Sequence, residues 1–140
     1  MRNDSRLSRM LHVLVHMARH EGPMTSERIG RMLGTNSAVI RRTMAGLRDA
    51  GYVRSEKGHG GGWLIACDLE RLSLLDVYRA VGRPTVFAIG NERPNPNCVI
   101  EQVVNRAVED ALRDAELLLV GRLGAISLGE LNRAFDAPAL

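Results

Sequence analysis

The stretch EKGHGGGW, residues 56–63, combines four glycines with a lysine and a histidine. Such a segment could cradle a nucleotide phosphate, turn a β-hairpin, or place its backbone against another anion such as DNA. A Walker loop needs its lysine after the glycines, whereas Lys57 precedes them, and a dinucleotide fingerprint starting at Gly58 needs glycine where Trp63 stands. Both motifs also need a helix directly afterwards, and the residues that follow are strand-like. The sequence therefore disfavours a nucleotide site.

Three histidines, His12, His16 and His20, recur every four residues and so lie within about an 80° arc of one predicted helix. Two histidines at this spacing can share a metal ion, but a site needs a third ligand and the spacing arises easily by chance. We interpret them as ordinary, partly exposed side chains and predict no metal site.

Composition and charge restrict the class of protein. A chain of 140 residues with 45% hydrophobic but only 4% aromatic residues predicts one domain with an aliphatic, mainly helical core. The two cysteines form no disulfide framework, which suits a reducing compartment. No apolar run approaches the ~20 residues of a membrane span, and no signal peptide is recognisable. We therefore expect a cytoplasmic protein. Residues 1–66 hold eleven Lys or Arg against five Asp or Glu, and residues 67–140 hold eight against eleven. The N-terminal half would attract a polyanion, unless the asymmetry is only an uneven solvated surface.

Periodicity and capping residues predict the elements that position these side chains. A first helix covers residues 4–20, a second runs from a Thr25 cap through Leu33, and a third begins at Asn36 or Ser37 and ends before Gly51. Two short helices joined by a glycine-containing turn form a helix-turn-helix. The β-prone segments 52–54 and 63–66 flank the glycines, so a hairpin, or wing, follows the third helix.

The second half of the chain predicts a long helix that its own domain cannot cover. Ser73 caps a short helix to Val81, residues 82–97 form a glycine- and proline-rich connection, and from Val99 a wide apolar stripe runs along a helix of roughly 22 residues. A capping box at residues 127–130 begins a last helix that ends at Phe135. We expect a second copy of the chain to pack on the stripe; the alternative is that the first helix and the C-terminal tail cover it.

The predicted fold is therefore mainly α with a small β-hairpin: a winged helix-turn-helix with a long C-terminal dimerisation helix. We assign residues 1–82 to a winged helix-turn-helix DNA-binding domain, 83–98 to a connecting or sensor loop, and 99–140 to the dimerisation helix and the C-terminal helix. In a winged helix the third helix enters the major groove and the hairpin reaches the adjacent backbone or minor groove. Lys and Arg supply phosphate contacts, while Asn36 and whichever of Arg41 and Arg42 faces the groove could read base edges. The candidate DNA-binding residues are Thr25, Ser26, Asn36, Ser37, Ala38, Arg41, Arg42, Arg54, Lys57, His59 and Gly60.

The segment AGYVRSEKGHGGGW, followed by LSLLDVYRAVG, resembles the Rrf2 family of winged-helix bacterial transcription regulators. The matching residues are Gly51, Val53, Ser55, Gly58, Gly60, Gly61, Gly62, Leu64, Ala66, Leu72, Leu74, Asp76, Val77, Ala80 and Val81. The resemblance spans nearly the whole chain and implies a homodimer, joined through the long helices, that binds a palindromic operator, most simply as a repressor.

The resemblance also carries site residues over, with two departures. The family's wing arginine, which enters the minor groove, falls on Lys57, a weaker fit for a narrow groove. The base-reading positions fall near Asn36, Ala38, Arg41 and Arg42, and Ala38 replaces a small polar residue, leaving only an apolar contact such as one to a thymine methyl.

The signal that such a regulator would sense is open. Iron-sulfur members of the family place three cysteines before the long helix, where this chain has only Cys98, so we expect no cofactor of this kind. The start of a helix favours a thiolate, which makes Cys98 a candidate for a redox sensor; an idle cysteine is the alternative.

No enzyme is expected, because the chain lacks a nucleophile elbow, an HExxH motif and a phosphate motif. The rival function is a winged-helix protein-interaction module whose basic face contacts an acidic partner without specific DNA binding.

Overall fold

The computed structural model describes residues 5–84 and 97–136, which form six α-helices and one antiparallel β-hairpin. In chain order the elements are α1 Arg6–Ala18, α2 Ser26–Leu33, α3 Ser37–Asp49, β1 Val53–Glu56, β2 Gly62–Ile65, α4 Leu74–Ala80, α5 Val99–Gly124 and α6 Leu128–Phe135. The predicted fold class is confirmed. The long helix α5 has 26 residues, so it spans about 39 Å at 1.5 Å per residue and is longer than the sequence suggested.

Side-chain caps begin the helices where the sequence predicted. Thr25 accepts a hydrogen bond from the third amide of α2, and Asn36 does the same for α3. Ser73 and Ser127 each form a complete capping box with the acidic residue three positions later. Because these caps are local, neighbouring residues alone determine where the helices begin.

Close backbone packing fixes α2 against α3. The turn between them starts at Gly34, whose φ of 68° is left-handed, and the amide of Thr35 donates to the carbonyl of Gly30 at 2.8 Å. A Cβ on Gly30 would lie 2.8 Å from the Thr35 carbonyl oxygen, which is too close for any side chain. The glycine therefore sets how tightly α3 is held on α2.

The hairpin is tied to the segment before α2. β1 pairs with β2 so that Val53 lies opposite Ile65 and Glu56 lies opposite Gly62. On the other side of β2, Trp63 and Met24 form an isolated antiparallel bridge, with amide-to-carbonyl distances of 2.9 and 3.0 Å in the two directions. The wing is therefore anchored to the helix-turn-helix and is not a free arm.

The core lies between α1, α2, α3, the base of the wing, α4 and the start of α6. It is aliphatic and methionine-rich, as the composition indicated. The buried side chains are Met10, Val13, Leu14, Met17, Met24, Ile29, Ile40, Met44, Leu47, Val53, Trp63, Leu72, Leu74, Val77, Val81 and Leu128.

The C-terminal helix α6 belongs to the same core. Leu128 is buried, and its amide donates to the carbonyl of Leu72 at 2.8 Å. At the far end of α6, the guanidinium of Arg19 bonds both carboxylate oxygens of Asp136, which lowers the pKa of that carboxyl. The division at residues 82 and 99 remains a prediction, but the last helix packs with the N-terminal unit.

Helix α5 carries two apolar stripes. Val108, Leu112 and Leu119 are half-buried, whereas Ile100 and Leu118 remain 77% and 79% exposed. The exposed stripe also includes Val103 and Val104, and α5 contributes no buried residue. Neither helix 1 nor any other described element covers these side chains. No helix within the described ranges is long and apolar enough to cross a membrane.

Candidate nucleic-acid interface

Helix α3 presents its two consecutive arginines to solvent. Ile40 and Met44 are buried on its inner face, whereas Ala38, Arg41 and Arg42 are exposed on the outer face. At 100° per residue, Arg41 and Arg42 lie on either side of the line through Ala38. Neither guanidinium forms a hydrogen bond or ion pair with a residue that the structure describes. Both are therefore available to an external anion or base edge.

The structure limits which groups on DNA the side chain of Asn36 can recognise. Its side-chain oxygen accepts a hydrogen bond from the amide of Val39 at 3.0 Å, which caps α3. Bidentate recognition of adenine needs both the oxygen and the amide nitrogen of an asparagine. Because that oxygen faces the Val39 amide, Asn36 is best placed to contact DNA by donating through its NH₂ group. It suits an acceptor such as a purine N7, a thymine O4 or a phosphate oxygen.

The two ends of α3 differ in charge. Ser37, the first residue of the helix, is uncharged and half-buried. At the other end the guanidinium of Arg48 lies 3.4 Å from the carboxylate of Asp49, which offsets its charge. The N-terminal half of α3 is therefore the better match for DNA, also because the helix dipole is positive there.

Thr25 and Ser26 stand at the start of α2 and are already engaged as acceptors. The Thr25 hydroxyl accepts from the amide of Arg28 at 3.1 Å, and the Ser26 hydroxyl accepts from the indole nitrogen of Trp63 at 2.8 Å. Each hydroxyl keeps its own hydrogen for donation. Both can donate to a phosphate while they hold α2 and the wing in place.

The tip of the wing exposes a lysine and a histidine. Lys57, His59 and Gly60 are all exposed, and a turn closes the tip because the amide of Gly61 donates to the carbonyl of Gly58 at 3.0 Å. Lys57 makes no ion pair within the described part of the chain. Arg54, lower on β1, has a guanidinium nitrogen 3.7 Å from a carboxylate oxygen of Glu56, so part of its charge is offset.

Close backbone contacts within the protein explain why two of the wing residues are glycine. A Cβ on Gly61 would lie 2.2 Å from the carbonyl oxygen of Glu56, and a Cβ on Gly62 would lie 2.7 Å from the carbonyl of Met24. Both contacts are to backbone: a shift of Glu56 would open the hairpin, and a shift of Met24 would break its bridge to Trp63. The sequence left open that these glycines place the backbone against an anion such as DNA; the structure explains Gly61 and Gly62 without any ligand.

Arg28 is an exposed cation beside these residues that the sequence pattern did not single out. Its guanidinium is exposed near the start of α2 and lies 2.6 Å from Nε2 of His20, while Nδ1 of His20 donates to the carbonyl of Gly22 at 3.1 Å. The imidazole of His20 therefore links Arg28 to the turn at Gly22 and holds the guanidinium in place. The composition of α2, two arginines against one glutamate, was the signal that could have identified this residue.

The two cysteines differ in environment. Cys98 is half-buried and caps α5, and its sulfur accepts from the amide of Glu101 at 3.4 Å. Cys67 packs against the core, and burial, reinforced by Asp68 and Asp76, raises the pKa of its thiol. Residues 85–96 of the expected sensor loop lie outside the described residues.

A winged helix-turn-helix with unpaired arginines on its recognition helix and basic residues on its wing defines a DNA-binding regulator. The chain matches the Rrf2 family model, described as an iron-dependent transcriptional regulator, over residues 3–134. It therefore belongs to the Rrf2 family, as its wing motif indicated.

Two relatives support this assignment, and one solved structure supports the fold. The chain is 30% identical to the HTH-type transcriptional regulator YwnA of Bacillus subtilis, over 94% of this chain and 98% of YwnA. It is 32% identical to the HTH-type transcriptional regulator IscR of Xenorhabdus nematophila, over 87% of this chain and 71% of that protein. The solved structure of T. potens IscR has the same fold, with a TM-score of 0.67 at 19% identity, covering 100% of this chain and 93% of that one. The family and these relatives are transcription regulators, so the expectation that the chain is not an enzyme is confirmed.

The family description names iron, and the residues of this chain do not fit an iron-sulfur cluster held by cysteines. The sequence has two cysteines, and Cys67 packs against the core with a raised thiol pKa, which disfavours the thiolate that a metal needs. Within residues 5–84 and 97–136 no group of three or more His, Cys, Asp or Glu side chains could hold a metal ion.

Proposed function

We propose that the chain is a homodimeric repressor that binds a palindromic operator, with α3 in the major groove and the wing against the flanking backbone or minor groove. The observation that carries the proposal is the pair Arg41 and Arg42, exposed and unpaired on the outer face of α3. The wing and the start of α2 flank this face and supply further donors. In this assignment residues 1–82 bind DNA, 83–98 connect and sense, and 99–140 dimerise, with α6 returning to the core.

Alanine substitution separates base reading from phosphate binding at the two arginines. An arginine that reads a guanine should lose about 1–3 kcal/mol at the operator and relax specificity at one base pair. A phosphate contact should lose affinity equally for operator and random DNA. The matched control is Arg106→Ala on α5, which removes the same charge from an exposed helix away from α3. If Arg41→Ala, Arg42→Ala and the control all bind DNA like the parent chain, the rival interaction module gains support.

The wing is proposed to contribute mainly phosphate contacts through Lys57, with His59 and Gly60 beside it. Lys57→Ala should weaken binding to all sequences and reduce the slope of log affinity against log salt concentration by about 1. Lys57→Arg should tighten binding where the flanking minor groove is narrow, because guanidinium fits that groove better. An unchanged salt slope in Lys57→Ala would place the wing off the DNA.

Dimerisation is proposed through the exposed stripe of α5. Large apolar side chains on one face of a helix about 39 Å long match a helix-helix interface between two identical chains. Leu118, at 79% exposure, lies on this stripe. Leu118→Glu should convert the dimer to a monomer in light-scattering measurements and remove tight operator binding, whereas Arg106→Ala should remain dimeric. A Leu118→Glu variant that stays dimeric contradicts this interface.

Redox sensing is proposed at Cys98. The Cys98 thiolate would attack the terminal peroxide oxygen, so that an S–O bond forms and the O–O bond breaks. The sulfur is oxidised by two electrons to a sulfenic acid, and the leaving alkoxide or hydroxide takes a proton from water and departs as the alcohol or water. Cys98→Ser keeps an oxygen acceptor at the helix cap and removes the thiol, so it should bind the operator normally and lose peroxide sensitivity. Cys67→Ser is the control. Unchanged peroxide sensitivity in Cys98→Ser would leave Cys98 without a sensory role.

A further inference from the structure

Two histidines on the outer face of α1 direct the same ring nitrogen at each other. The Nε2 atoms of His12 and His16 are 3.0 Å apart, and the ring centroids are 4.7 Å apart. Both side chains are exposed, while Val13 and Met17 beside them are buried, so the pair faces solvent. In the part of the chain that the structure describes, neither ring has another hydrogen-bond partner.

We propose that His12 and His16 together bind one divalent late first-row transition-metal ion, with water completing its coordination. Two nitrogen ligands about 2.1 Å from an ion lie ~3.0 Å apart when the angle between them is near 90°, and ~3.4 Å apart in a tetrahedral site. The observed separation fits the 90° angle, which Ni²⁺ and Cu²⁺ adopt in square-planar or octahedral sites. The sequence alone predicted no metal site here, because spacing does not show which ring nitrogens meet; in the proposed site water supplies the ligands beyond the two histidines.

The helix supplies the preorganisation that a two-ligand site needs. Both imidazoles stand on one rigid α-helix, so binding the first nitrogen places the second at a high effective concentration, a gain of ~10²–10⁴ in favourable cases. The third histidine of the repeat, His20, is engaged at both nitrogens by Gly22 and Arg28. The site is therefore an open two-histidine chelate, and the bound ion keeps positions for water or a further ligand.

Calorimetric titration of the untagged, full-length chain with Ni²⁺ tests the proposal. A titration with Mg²⁺ is the negative control, because imidazole does not favour that ion as a ligand. We expect one Ni²⁺ per chain and no Mg²⁺ binding. His12→Ala and His16→Ala should each weaken Ni²⁺ binding at least ~10-fold. His20→Ala and His59→Ala, the matched single-histidine controls, should leave it unchanged. The proposed site is wrong if the parent chain binds Ni²⁺ no more tightly than His12→Ala does. It is also wrong if either control variant loses as much Ni²⁺ affinity as His12→Ala or His16→Ala.

A second measurement follows the histidine side chains directly. In a proton NMR titration, the imidazole signals of His12 and His16 should shift or broaden at substoichiometric Ni²⁺, before those of His20 and His59. Simultaneous changes in all four, or Ni²⁺ binding that disappears in Cys98→Ser, would assign the ion elsewhere. Because α1 packs its inner face in the core, bound Ni²⁺ should also raise the thermal midpoint of the parent chain and not that of His16→Ala.

Discussion

Alanine substitutions can separate what the wing glycines do. Gly62 combines a φ of 150° with a Cβ position 2.7 Å from the carbonyl of Met24, whereas Gly58 has a φ of 94° and no heavy atom within 4 Å of its Cβ position. A residue with left-handed φ costs ~1–2 kcal/mol when it gains a Cβ, and forced displacement of packed neighbours adds ~1–3 kcal/mol. Gly58→Ala should therefore lower the free energy of unfolding by about 1–2 kcal/mol and Gly62→Ala by about 2–5 kcal/mol.

Urea unfolding followed by tryptophan fluorescence is the assay for these variants. Trp63 is the single tryptophan, it follows Gly62 in β2, and it is 7% exposed, so its emission reports the wing directly. Circular dichroism on the same samples separates local loosening of the hairpin from global unfolding, and equal protein concentrations remove any effect of dimerisation. Equal losses in Gly58→Ala and Gly62→Ala would refute the steric reasoning. If Gly62→Ala kept full stability and lost only DNA affinity, the glycine would serve approach to phosphate instead.

Three further predictions follow from the caps, the core and the thiols. Asn36→Ala should lower the thermal midpoint, because it removes a helix cap worth ~1 kcal/mol. Asn36→Ser should keep the cap and the thermal midpoint but bind the operator more weakly. If Asn36→Ser binds the operator as tightly as the parent chain, the amide has no role in DNA binding. Leu128→Ala should cost ~2–5 kcal/mol in urea unfolding, and a cost below 1 kcal/mol would contradict the placement of α6 in the core. Iodoacetamide at pH 8 should modify Cys98 before Cys67. Burial and nearby carboxylates raise the pKa of the Cys67 thiol and so lower its thiolate fraction. Mass spectrometry of the labelled peptides gives the order of modification.

Local signals in the sequence predicted the elements well. Helix starts at Thr25 and Asn36 depend on a side chain and an amide three residues away, so they can be read from a short window. The family and the fold class followed from the wing motif placed after two such helices. Neither step required knowledge of how distant segments meet.

Distant contacts were beyond the sequence, and they changed the account of the site. The bridge between Met24 and Trp63 joins residues far apart in the chain, and it gives Gly62 a structural reason that no local pattern contains. Asn36 is a local case: its type suggested both a helix cap and base reading, and the structure uses its side-chain oxygen for the cap. Residue type indicates what a side chain could do, and only its neighbours show which of its atoms remain available.

The attachment of α5 bears on how a signal at Cys98 could reach the DNA. Leu123, near the C-terminal end of α5, packs against the buried core, and α6 follows at once with Leu128 inside that core. Cys98 caps the opposite end of the same 26-residue helix, about 39 Å along its axis. In the proposed dimer, oxidation at Cys98 would therefore act first on the packing of Ile100 and its neighbours against the partner helix. The angle between the two α5 helices, and through α6 the spacing of the two recognition helices, would be the quantity that changes.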